Sequence, residues 1–200
     1  MSLLMEKLDF KKADKALYSG KRNQWQLIDV PLIRYLCIEG QGAPEGEAYA
    51  DALGRLYPVA YALKFRSKAE GRDFVVPPQN ALWWADDPSA FVADRREEWR
   101  WKAMIRMPDW ISEADVKAAM QAKAVQGVAL EELEEGRCFQ CLHVGPYRDE
   151  APVLAELHEQ LMPEAGLAFN GPHHEIYLSD PRRVAPEKLR TILRQPVCPV

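Results

Sequence analysis

The sequence predicts an α+β fold made of duplicated strand–helix–strand–strand units, with an antiparallel sheet, helices on one side and a central ligand groove. Three observations carry this expectation. First, "CIEGQGAPEGEAYADALGRLYP" (37–58) aligns with "CLHVGPYRDEAPVLAELHEQLMP" (141–163); both read as strand, glycine turn, acidic helix start and Leu-x-Pro ending. Second, segments 97–107 and 173–179 alternate with the period of two that marks strands. Third, residues 47–68 carry an apolar stripe at i, i+3/i+4 spacing. The pseudo-repeats span about 26–108 and 135–200 of a chain read as one domain over 1–200. A ligand groove is expected at their joint.

Residues 1–25 are polar and Lys-rich and read as a loosely attached leader. A strand follows at 30–40 and a turn-rich loop at "GQGAPEGE". In the 47–68 helix the stripe is Ala50, Leu53, Leu56, Tyr57, Ala60 and Tyr61, and Pro58 should kink or split it. Segment 72–87 suggests two short strands around Pro77-Pro78. In the next strand, 97–110, Trp99, Trp101, Ala103, Ile105 and Met107 share one face, and Arg100, Lys102, Met104 and Arg106 share the other. Ser112 caps a helix to about Gln126, with Asp115 in its first turn.

The second half opens with a strand at 137–145. A helix over 150–165 follows, with Asp149 as cap, Pro152 in its first turn, and Leu154, Leu157 and Leu161 as its buried edge. After the 173–179 strand come a turn, a short helix and a last strand.

Composition narrows the function. Apolar residues are 48 % and aromatic residues 10 %, which marks a globular protein. Net charge is −4 with both signs interspersed, and no basic stripe exists to neutralise phosphates, so nucleic acid is not an expected partner. No apolar run suits a signal peptide or a membrane span, which makes the expected location cytoplasmic with no membrane partner. Nothing in the sequence sets the oligomeric state.

"CFQC" invites a metal or redox reading, with His143, His173 and His174 as further ligands. On a strand, however, Cys138 and Cys141 point to opposite faces, so they read as packing residues; no metal and no cofactor are expected. The tryptophans of "LWW" (82–84) and "WRW" (99–101) are core residues if the Arg/Lys face of their strand meets solvent, and an aromatic wall if the sheet face lines a pocket.

Within "HHEIYLSDPRR" (173–183), Glu175 is a poor strand former set in a strand. Alternation puts Glu175 and Tyr177 on one face and His174, Ile176 and Leu178 on the other. The apolar trio is expected to pack on a helix, leaving the acid and the phenol to face the groove. A carboxylate among rings attracts lipophilic cations, or acts as a general base once desolvation raises its pKa.

"ALWWADD", "EEWRWKAMIRMPDW", "HVGPYRDE" and "HHEIYLSDPRRVAPEKLRTILRQPV" together resemble the stand-alone GyrI-like small-molecule-binding domain proteins, over residues from about 20 to 200. The chain departs from that pattern at "QNALWW", where a Glu-Gly is expected before the tryptophans. The resemblance implies two strand–helix–strand–strand repeats around a groove. It also implies kinship with ligand-binding domains of multidrug-responsive regulators, without an attached helix-turn-helix. Some relatives in this superfamily hydrolyse cyclopropane-containing DNA alkylators.

Glu175 matches the groove glutamate of this pattern, and Tyr147 and Tyr177 match its aromatic hydroxyls. Trp84, Trp99 and Trp101 match its ring-lined wall, and His143 is a further candidate for ligand contact. The reading favoured is a binder of aromatic or cationic small molecules. The first alternative is a cyclopropane-opening hydrolase with Glu175 as base and Tyr147 or Tyr177 as proton donor. The second is a regulatory inhibitor that binds another protein.

Overall fold

Paired charges turn an acidic stretch that does not look like a strand into one. Residues 129–135, "ALEELEE", carry four glutamates, yet in the computed structural model they open the sixteen-residue strand Ala129–Val144. Glu131 meets Lys102, Glu132 meets Arg34 at 2.7 Å, and Glu135 meets Arg194 at 3.1 Å. The structure describes residues 7–200. Its fold is α+β with antiparallel strand pairing, as the sequence predicts. The chain forms two units: unit 1 holds the described residues to Lys15 with Ile33–Leu133, and unit 2 holds Ala16–Leu32 with Glu134–Val200.

In unit 1, a one-turn helix, α1 (Phe10–Ala13), is capped by Asp9, whose carboxylate accepts from the Lys11 N–H at 3.1 Å. Phe10 is buried, and the Arg106 guanidinium lies 4.0 Å from its ring centre. In unit 2, Leu17 and Tyr18 are buried as well. Residues 7–25 are therefore packed parts of the fold and not the loose leader expected; residues 1–6 of that expectation lie outside the described residues.

Strand β1 (Gln26–Gln41) pairs antiparallel with β3 (Arg100–Arg106), and β2 (Gln79–Trp84) takes the other edge of β3. Only one strand forms in 72–87, because Pro77 and Pro78 have no N–H to give a ladder; Phe74 makes a single bridge to Leu8. Helix α2 (Glu47–Ala69) runs through Pro58 as one element, so of the expected kink or split the split does not occur; proline has no N–H to give the Gly54 carbonyl. It buries Tyr49, Ala52, Leu56, Val59, Ala60, Leu63 and Ser67; of the predicted stripe Leu56 and Ala60 are buried, Leu53 and Tyr57 half-buried, and Ala50 and Tyr61 exposed.

Gly40 of β1 lies against the six-membered ring of Trp101, and a Cβ there would sit 2.3 Å from it. A glycine is what lets this indole come so close to the neighbouring strand. The helix α3 (Ser89–Val92) precedes β3, and α4 (Glu113–Lys123) follows it. The expected Ser112 cap is a full capping box with Asp115.

In unit 2, β4 (Ala129–Val144) pairs with β7 (Arg190–Pro199), whose other edge takes β5 (Leu167–Phe169) and β6 (His173–Tyr177). The predicted 150–165 helix is α5 (Ala151–Glu156), a π turn at Leu157–Leu161, and α6 (Met162–Glu164). Asp149 does not cap it. The cap position is Glu150, whose side chain makes no capping bond. Val153 packs on Cys141 and Leu193, and Leu157 and Met162 pack on Phe139 and Val197.

The other face of this sheet buries charge. His174, Arg194 and Gln140 stand side by side across β6, β7 and β4. Arg194 donates to Gln140 Oε1 at 2.8 and 2.9 Å, to Glu135 Oε2 at 3.1 Å and to the Leu17 carbonyl at 2.9 Å. His174 Nδ1–H donates to Glu135 Oε1 at 2.8 Å, and Gln140 donates to the carbonyls of Ala16 and Ser19. Burial works to raise the Glu135 pKa, but His174 and Arg194 outweigh it and bring it down to about 2. Among the described residues no helix is long and apolar enough to cross a membrane.

Candidate functional site

Alternation along β6 puts His173, Glu175 and Tyr177 on one face. Register places Glu175 beside Leu193 of β7, which stands beside Cys141 of β4; Tyr177 stands beside Thr191, which stands beside His143. Because Val153 of α5 packs on Leu193 and Cys141, this is the face that α5 covers. The expectation that the helix packs on the His174 side is thereby corrected. The His174 face is sealed by the charged cluster and residues 16–19 instead, and Glu175 emerges beside the first turn of α5.

The Glu175 side chain is 14 % exposed and that of His173 17 %. His173 Nε2 lies 3.2 Å from Glu175 Oε1. Tyr177 and Glu150 also hydrogen-bond to the Glu175 carboxylate. Two carboxyl groups can share a hydrogen bond only if one of them holds a proton. Glu150 is 5 % exposed, and burial first, then the Glu175 charge, pushes its pKa far above the usual carboxylate range. Burial works to raise Glu175 too, but the hydrogen bonds and charge from His173, and the bonds from Tyr177 and Glu150, hold it below its ordinary value. The raised acid expected at Glu175 is thus found at Glu150. The pair therefore carries its charge on Glu175.

Tyr147 lies in the short turn before α5, 40 % exposed, with its ring edge-on to Tyr177 at 5.7 Å between centres. Partial burial and the Glu175 charge push its hydroxyl up to about 12, so it remains a donor at neutral pH. His143 is buried and its Nε2–H donates to the Pro146 carbonyl at 3.2 Å, which leaves Nδ1 without a partner among the described residues. Thr191, between His143 and Tyr177, also has an unpartnered hydroxyl.

Glu175, Tyr177 and Tyr147 are therefore brought together in unit 2, with His143 one strand beyond Thr191. The three tryptophans expected in the ring-lined wall, Trp84, Trp99 and Trp101, belong to unit 1. Trp101 is 1 % exposed, edge-on to Tyr49 at 5.0 Å. Trp99 lies against Phe91 in a tilted pair with ring centres 4.9 Å apart, and the Arg96 guanidinium lies 5.5 Å from its ring centre. Trp84 ends β2 and lines a shallow cleft with Glu39, Gly40, Gln41 and Arg100.

The sequence alone did not single out Glu150, and it offered His173 only as a possible metal ligand and not as a partner of Glu175. His173 was available from the same alternation that placed Glu175 and Tyr177. Glu150 was concealed, since an acid at a helix start ordinarily reads as a solvent-facing partner of the helix dipole. Cys138 and Cys141 are both buried in β4, and burial pushes their thiols up to about 12. Among the described residues no three His, Cys, Asp or Glu side chains are grouped to hold a metal ion.

A model of the GyrI-like small molecule binding domain matches residues 24–197. An uncharacterised conserved protein from Listeria innocua is 40 % identical over 96 % of this chain and all of its own, with a TM-score of 0.88. A Listeria innocua structure described as a hydrolase is also 40 % identical, over the same shares, with a TM-score of 0.83. The C-terminal domain of EcmrR shares the fold at 13 % identity, covering 88 % of this chain and 98 % of its own, with a TM-score of 0.59. A search of curated proteins found no match.

Proposed function

The chain belongs to the GyrI-like small-molecule-binding family, and from that premise we propose that the Glu175 site of unit 2 binds flat aromatic cations. The observation that carries this reading is a mostly buried carboxylate held ionised by three hydrogen bonds, beside the rings of Tyr177 and Tyr147. A cation stacked on those rings meets its counter-charge in a poorly solvated place, where the attraction is little screened. Nothing in this arrangement needs a cofactor. The binding reading thus gives the protein a sequestering role toward toxic aromatic compounds.

A second reading is hydrolysis of an electrophilic cyclopropane, supported by the hydrolase described from Listeria innocua at 40 % identity. In that reaction the oxygen of water bonds to a ring carbon, and the strained carbon–carbon bond breaks. Its electron pair passes to a conjugated carbonyl oxygen, which the Tyr147 hydroxyl stabilises by donating a hydrogen bond. Glu175 orients the water, accepts its proton as the ring opens, and then gives that proton to the oxygen anion, which restores the carboxylate for the next turnover.

One experiment separates the two readings. The protein is incubated separately with ethidium, a flat cation, and with a cyclopropane-bearing DNA alkylator, and each compound is followed by mass spectrometry. Saturable binding of ethidium, with both compounds recovered unchanged, supports the binder. A ring-opened, water-added alkylator formed over many turnovers supports the hydrolase. Neither binding nor product overturns both.

A further inference from the structure

Glu150 departs from what its position favours. It occupies the cap of α5, where a carboxylate ordinarily accepts backbone N–H bonds and gains from the helix dipole, but its side chain makes no capping bond. It is 5 % exposed, hydrogen-bonds to Glu175, and leaves Oε1 buried without a partner among the described residues. A buried, unpartnered carboxylate oxygen bearing charge is costly, whereas the carbonyl oxygen of a neutral acid is far less so. Geometry and solvation therefore assign the shared proton to Glu150.

We propose that Glu150 is the specificity-determining partner of Glu175: a permanently neutral acid that donates to it, so that two carboxyl groups present one negative charge to a singly charged cation. This rests on the binding reading above. Without the donor, Glu175 would lose one of the three bonds that keep it ionised; with both acids ionised, the site would repel itself and favour doubly charged ligands. Within unit 2 the other titratable groups facing the pair are His173 and Tyr177 of β6, Tyr147 of the turn before α5, and Cys141 of β4. Those groups are the same in every variant below, so comparing variants isolates Glu150.

The test has a ligand-free arm and a ligand arm. Infrared difference spectra of the protein near pH 7 are expected to contain a protonated side-chain carboxyl band that disappears in Glu150→Gln. Ethidium affinity is then measured by fluorescence from about pH 5 to 8 in wild type, Glu150→Gln and Glu150→Leu. Glutamine keeps a neutral donor, so its affinity and pH profile should stay within about threefold of wild type. Leucine removes the donor, so Glu175 should take up a proton at higher pH and affinity should fall roughly tenfold or more on acidification, where wild type holds.

Absence of the carboxyl band overturns the proposal, as does a leucine profile that matches wild type. A large loss at neutral pH in Glu150→Gln also overturns it, because the amide supplies what the proton is proposed to supply. A band that behaves as expected together with no ethidium binding by wild type means that the binding reading has failed, and the selector role falls with it.

Discussion

Glu175→Gln is expected to lower ethidium affinity about 100-fold, or ~2.7 kcal/mol, in the range seen when one member of a desolvated charge pair is removed. Its effect on the neutral ring system phenanthridine should stay within about threefold, because stacking on Tyr147 and Tyr177 is untouched. The contrast between the two ligands is what gives the prediction its force. A variant that merely loosened β6 would weaken both. Equal loss for both compounds would mean that Glu175 holds the site together without meeting the ligand's charge. Fluorescence titration of each compound against both proteins reads this directly.

The second large effect lies on the opposite face of the same strands. Arg194→Met should destabilise the protein by about 3–5 kcal/mol, the cost of stripping one partner from a buried ion pair. Arg194 is 1 % exposed and donates to Glu135, Gln140 and the Leu17 carbonyl, so methionine leaves three buried acceptors unsatisfied at once. Adding Glu135→Gln to Arg194→Met should recover part of the loss, because the stranded charge is then gone. Urea denaturation of the three proteins measures this, and a loss below about 1 kcal/mol would contradict the account.

The same cluster sets a pH dependence. Glu135 is held at about 2 in the folded state, below its unfolded value, so the stability it contributes is full above about 4.5 and is lost as pH falls toward 2. Removing both charges should therefore flatten the acid limb of the stability curve. It should leave the slope above neutral pH unchanged.

These two faces explain what the sequence could and could not disclose. Strand alternation alone puts Glu175 and Tyr177 on one face, and Ser112 caps its helix as its place before the apolar run predicts; that Asp115 completes a capping box is seen only in the structure. The choice of which sheet face meets the helix was illegible. It turned on whether Glu175 or His174 lay on the core side, and both faces of β6 mix a polar group with an apolar or aromatic one. His174 looked like part of an apolar packing surface, whereas its face is buried by the Arg194–Glu135 ion pair, the His174–Glu135 hydrogen bond and bonds to residues 16–19. Strand 129–135 was missed because four glutamates argue against a strand until Lys102, Arg34 and Arg194 are known to oppose them.

Glu150 was missed for a related reason. Local rules describe an acid at a helix cap, and only tertiary placement turns it inward. The same limit applied to α2, where Leu56 and Ala60 of the predicted stripe are buried but Ala50 and Tyr61 are exposed, because contact with β3 and α4 decides which side is covered. Side-chain type and spacing identify candidates; burial and pairing decide which of them carries charge.

The central claim, that an ionised Glu175 is the counter-charge of the bound ligand, is tested most directly by carbon-detected NMR of protein labelled at its glutamate carboxyls, with Glu175→Gln assigning the resonance. Saturating ethidium should shift the Glu175 carboxyl more than any other glutamate, from a starting position characteristic of the ionised form. A Glu175 resonance that stays in place while ethidium is bound, or that begins in the protonated position at neutral pH, would contradict the account.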